Sequence, residues 1–83
     1  MNYELTLHAR KVLEERAIAI EWMERALATP EEVAPDPNDP AIQRFYCQIP
    51  EFGGRTLRVA VNTLVNPWRV VSVFFDRNKR TKP

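Results

Sequence analysis

The chain has 83 residues, 45% hydrophobic and 28% charged, with a net charge of +1 at pH 7 and one cysteine. That length makes a single small domain over residues 1–83, burying only about 60% of its unfolded surface, so partner binding or a homodimer would add useful stability. The composition excludes global disorder, the lone Cys47 excludes an intrachain disulfide, and no apolar run approaches the ~18 residues that a bilayer span needs.

The start, MNYELTLHARK, lacks the basic stretch and apolar core of a secretion signal. With the unpaired thiol, this points to a soluble, cytoplasmic protein without membrane contact. Charge is unevenly placed. Residues 1–40 hold four basic against nine acidic groups, a net of −5, and residues 41–83 hold eight against two, a net of +6. Such asymmetry suits a nucleic-acid surface or an acidic partner, and equally suits two halves that attract each other.

Tyr3 and Leu5 alternate, which allows a short edge strand at residues 3–5. Thr6 is placed to cap a helix over residues 7–15. Ala9, Val12, Leu13 and Arg16 share one face of that helix, with Arg16 expected to close the face by burying its stem. A second helix is predicted over residues 20–28, with Ile20, Met23 and Leu27 on one stripe and Ala26 beside it. Pro30 ends it near Thr29. Residues 30–41 hold four of the seven prolines and four acidic groups. They read as a stiff acidic connector, with Val33 docking on the core or adding a short strand.

Residues 42–49 (IQRFYCQI) form the first clear strand, with Phe45, Cys47 and Ile49 facing one side and Arg44, Tyr46 and Gln48 the other. A two-residue Gly53-Gly54 hairpin would oppose Ile49 to Arg58 and put the two apolar faces out of phase. An odd-length loop or a bulge is therefore predicted, with both glycines at positive φ. In that register Arg44, Tyr46 and Arg58 share one face. The next strand covers residues 55–63, with Leu57, Val59 and Val61 inward. The last covers residues 68–76 and is apolar enough for an interior position. Val71, Val73 and Phe75 are assigned to the helix side, and Val70, Ser72, Phe74 and Asp76 to the side of Arg58. Residues 77–83 form a basic tail. The fold class is α+β: two N-terminal helices on one face of a three- to four-stranded antiparallel sheet.

No catalytic or metal signature is present. One histidine and one cysteine match no zinc pattern, and Cys47 has core parity. Glu14-Glu15 and Glu31-Glu32 are sequence neighbours, which suits no paired-carboxylate site. His8 is the only histidine. It is a candidate for proton transfer, or orders the first helical turn. The stronger constellation is Arg44, Tyr46, Arg58 and Arg77. Guanidinium forks grip phosphates, and a tyrosine ring stacks a base. Clustered positive charge also suits the transition state of RNA cleavage by a 2′-hydroxyl, without metal or cofactor. The alternative is an ordinary polar outer face.

His8-Ala9-Arg10, Glu15-Arg16-Ala17-Ile18, Leu27 and Thr29-Pro30 resemble the opening pattern of the family called domain of unknown function 4258. Arg44-Phe45-Tyr46, Arg55-Thr56-Leu57-Arg58-Val59 and Val70-Val71-Ser72-Val73-Phe74 resemble its strand pattern. The resemblance covers roughly residues 5 to 77. Ala17 stands where that pattern usually has glycine. The family looks similar to RelE/ParE-like and BrnT-like toxins, two helices packed on an antiparallel sheet. By analogy this implies ribosome-linked mRNA cleavage or another toxin action, with a cognate antitoxin as partner. Carried over by position, the catalytic candidates are His8, Arg44, Tyr46 and Arg58. Arg10, Arg16, Arg77, Lys79 and Arg80 are the candidate nucleic-acid contacts. The competing reading is a non-catalytic protein-interaction module.

Overall fold

Alternation places the middle of the sheet. Strand β4 (Arg55–Asn62) turns Leu57, Val59 and Val61 to one side, where all three are fully buried. The computed structural model describes residues 2–79. In it β4 is flanked by the antiparallel strands β3 (Ile42–Ile49) and β5 (Trp68–Phe75). Two short strands complete the sheet. β1 (Tyr3–Leu5) lies parallel to β5, and β2 (Glu32–Pro35) lies antiparallel to β3. The order is β1-β5-β4-β3-β2. The sheet is thus five-stranded and mixed, not three- or four-stranded and antiparallel. A parallel neighbour needs a long crossover, and here nearly the whole chain separates β1 from β5.

The hairpin between β3 and β4 has the odd loop that facial phase requires. Ile49 opposes Arg55, so five residues connect the strands. Pro50–Phe52 form a single 3-10 turn, and Gly53 and Gly54 follow at φ 68° and 71°. The Gly54 N–H donates to the Ile49 carbonyl at 3.0 Å. Phe45 then lies opposite Val59 and Cys47 opposite Leu57, all on the helix side.

The next hairpin carries the irregularity. Ala60 opposes Ser72, but Val61 opposes Val70, so Val71 is an extra residue. A bulge reverses facial phase on its far side. Val73 and Phe75 face the helices as expected, whereas Val70, assigned to the outer face, is fully buried in the core and Val71 is only half-buried.

Helix α1 (Leu7–Glu15) starts where Thr6 Oγ1 accepts the Ala9 N–H at 3.1 Å. It buries Ala9 and Leu13. Arg16 stays exposed and does not close the apolar face. The helix ends in a Schellman arrangement. Ile18 N–H donates to the Leu13 carbonyl at 2.9 Å and Ala17 N–H to the Glu14 carbonyl at 3.2 Å, while Ile18 and Leu13 are both buried. That geometry puts Ala17 at φ 52°, where a Cβ crowds the backbone. Ala17→Gly is accordingly expected to raise stability by about 0.5–1 kcal/mol in urea denaturation, the relieved strain exceeding the added chain entropy. A lowered midpoint would contradict this origin of the strain.

Helix α2 (Ile20–Ala28) buries Met23, Ala26 and Leu27, while Ile20 remains 38% exposed. α1 lies over β5, and α2 over β3 and β4. The acidic connector is ordered at the sheet edge, with Asp36 Oδ1 accepting the N–H groups of Asn38 and Asp39. Val33 is 47% exposed and does not dock on the core. Among the described residues no helix is long and apolar enough to cross a membrane.

Candidate nucleic-acid interface

The face of the sheet away from the helices carries the charged side chains. Even-numbered residues of β3 and β4 point there, which sets Tyr46 opposite Arg58 and Arg44 opposite Ala60. Downstream of the bulge the same parity continues into β5, with Ser72 opposite Ala60 and Phe74 opposite Arg58. The Arg58 guanidinium lies over the Phe74 ring, 4.2 Å from its centroid. Cations and aromatic faces therefore interleave across the sheet, an arrangement that suits a phosphate chain with stacked bases.

Each cation also has an acidic neighbour. Arg58 Nη1 lies 3.3 Å from Asp76 Oδ2, with both side chains largely covered. Arg44 Nε donates to Asp36 Oδ2 at 3.2 Å. The Tyr46 hydroxyl beside it, and then Asp36, hold the Arg44 guanidinium above its ordinary value. Asp36 is held below the usual carboxylate range, first by the Asn38 N–H that it accepts and then by Arg44. Lys79 Nζ lies 2.8 Å from Glu32 Oε1, and that hydrogen-bonded carboxylate raises the Lys79 ammonium.

A groove of about 300 Å³ opens where α1 meets β5, lined by His8, Val12, Arg16, Ser72, Val73 and Phe74. His8, Val12 and Arg16 recur every four residues and so present one stripe of the helix. Phe74 belongs to both this groove and the outer face, so His8 and Arg16 border the same surface as Arg58. Arg10 lies two residues from His8, about 200° around the helix, and is not brought to the groove. Arg77 is exposed, Lys79 lies over the Tyr46 ring, and Arg80 falls outside the described residues.

Of the residues expected from sequence, the structure brings Arg44, Tyr46 and Arg58 together, with His8 and Arg16 at the border. Sequence reasoning missed Phe74 as a partner of Arg58, and Asp36 and Glu32 as counter-ions. Parity pointed to Phe74 once the hairpin register was known. Nothing local signals that a connector acid will pair across a strand.

Other titratable groups serve the scaffold. Cys47 is buried at the core, which pushes its thiol up, with Glu31 adding to the effect. Glu51 accepts both Nη groups of Arg25, which holds its carboxyl down at about 2. Tyr3 is raised to about 12 by burial and by donating to Glu24. Among the described residues no three His, Cys, Asp or Glu side chains gather to hold a metal ion.

No curated protein and no solved structure matches this chain. A family pattern does, "Domain of unknown function (DUF4258)", over residues 5–75. That span takes in α1, α2, the outer-face arginines and the groove, and the chain is a member of the DUF4258 family.

Proposed function

We propose that this protein is a toxin-like member of a toxin–antitoxin module, a cytoplasmic RNA-binding protein and metal-independent ribonuclease restrained by an antitoxin. The observation that carries the reading is the gathering of Arg44, Tyr46, Arg58 and Phe74 on one sheet face, with the Arg58 guanidinium 4.2 Å from the Phe74 ring. Two helices over one face of a sheet also resemble the RelE/ParE-like and BrnT-like toxins. In the proposed reaction the 2′-oxygen of one nucleotide bonds to the adjacent phosphorus and the bond to the 5′-oxygen breaks. His8, at the border, takes the 2′-hydroxyl proton and returns it to the 5′-oxygen. Arg58 and Arg44 stabilise the charge that builds on the phosphorus oxygens.

Induced expression in a bacterial host tests this. Growth is expected to stop within the first generations, with cellular RNA fragmented, and Arg58→Ala to restore both. Unimpaired growth with intact RNA would sink the toxin reading. A second reading, a non-catalytic protein-interaction module, is favoured by one observation: Arg44, Arg58 and Lys79 each already face a carboxylate. It predicts one stoichiometric protein partner whose binding is indifferent to Arg44→Ala and Arg58→Ala.

A further inference from the structure

β5 ends at Phe75, yet the following residues do not leave the sheet. Asp76 N–H donates to the Thr56 carbonyl at 2.9 Å, adding one rung to the ladder. Asn78 N–H then donates to Asp76 Oδ1 at 3.0 Å, and Lys79 N–H to the Asp76 carbonyl at 3.3 Å, which turns the chain back over the outer face. Lys79 Nζ passes 4.8 Å from the centroid of the Tyr46 ring and reaches Glu32 on β2. With β4 and β3 lying between β5 and β2, the crossing spans about 14 Å. Tyr46, on a face that no helix covers, is only 5% exposed beneath it.

This strap, Asp76–Lys79, has no apolar side chain to anchor it. Its attachments to the sheet are one backbone bond, the largely covered Arg58–Asp76 pair, the Lys79 ammonium over Tyr46 and the more exposed Lys79–Glu32 pair, which solvent screens. One of them is chemically telling. Asp76 presents one carboxylate oxygen, Oδ2, to Arg58 Nη1 at 3.3 Å, as a phosphodiester would present a non-bridging oxygen, while its Oδ1 accepts the Asn78 N–H.

We propose that the strap is a displaceable cover on the RNA-binding face, in which Asp76 occupies at Arg58 the place of a backbone phosphate. The proposal rests on the RNA reading above. A single-stranded RNA competes with Asp76 for Arg58, the turn at Asn78 opens, and Tyr46 becomes available to stack a base. Lys79, freed from Glu32, gains a phosphate as partner.

The test uses the full chain, a short fluorescein-labelled single-stranded RNA and fluorescence anisotropy. Tetranitromethane modification of Tyr46, mapped by mass spectrometry, reports the cover independently. Asp76→Asn is expected to tighten RNA binding about tenfold at low salt and to raise Tyr46 nitration in the free protein. Glu32→Gln is expected to do the same about threefold, and serves if Asp76→Asn does not fold. Glu14→Gln, an equal charge change on the exposed side of α1, sets the baseline. If the carboxylate variants tighten binding no more than Glu14→Gln, or leave Tyr46 as protected as before, the cover is refuted. If Arg58→Ala still weakens binding in that case, the RNA face itself stands. If Arg58→Ala is also without effect, both fall.

Discussion

Replacing Leu57 with alanine is expected to cost about 3 kcal/mol of folding stability. Leu57 is fully buried in β4, the middle strand, between Cys47 on one side and Phe75 on the other. Both helices and three strands contribute to the cluster that contains it, so no single element can move to fill the space. A domain of this length holds roughly 4–12 kcal/mol in total. The loss is therefore a large fraction of what keeps the chain folded. Urea denaturation followed by circular dichroism measures it, as a lower midpoint at unchanged slope. Val33→Ala, on the exposed edge strand, is expected to stay within about 0.5 kcal/mol. A Leu57 effect no larger than that would mean the helices do not close on this face.

Arg58→Ala is expected to weaken single-stranded RNA binding at least tenfold, as about 1.4 kcal/mol or more lost from one charged contact. The substitution removes the cation over Phe74 and also leaves the Asp76 carboxylate unpaired on the same face. Both changes oppose a phosphate chain. The slope of log affinity against log salt should fall by roughly one phosphate's worth, since one fewer counter-ion is released. Arg10→Ala, on the far side of α1, is expected to change affinity less than about twofold and to leave the slope near its starting value. Anisotropy titrations at several salt concentrations check both. Equal effects of Arg58 and Arg10 would point to diffuse attraction instead of a site, and would remove Arg58 from its proposed role.

The legibility of the fold followed the range of each signal. The helices were readable because their signals lie within a few residues: a threonine cap, an apolar stripe and a proline just beyond the end. The hairpin register across Gly53-Gly54 was readable because a plain two-residue turn would take Phe45 and Cys47 off the side of Val59 and Leu57, which left an odd loop or a bulge, and the structure has the loop. The bulge was not, because Val70 and Val71 are the same residue type and alternation inside an unbroken apolar run has nothing to mark it. β1 and β2 were only suspected, since strands of three and four residues carry too little pattern to name their partners.

The site divides along the same line. That Arg44, Tyr46 and Arg58 share a face follows from parity and one register, both of which reside in the sequence. Parity likewise put Asp76 on the face of Arg58. That Asp36 and Glu32 supply counter-ions, and that Tyr46 is covered, follow from contacts between segments remote in the chain. The order of residues by itself determined two helices, three long strands and the inward and outward face of most positions, because backbone geometry and burial act locally and repeat with a fixed period. Only the tertiary structure decided the parallel edge strand, the bulge that exchanges Val71 for Val70, and the strap that places Lys79 over Tyr46. Those depend on which distant segments meet, and a charge or a valine carries no record in sequence of the partner it will find.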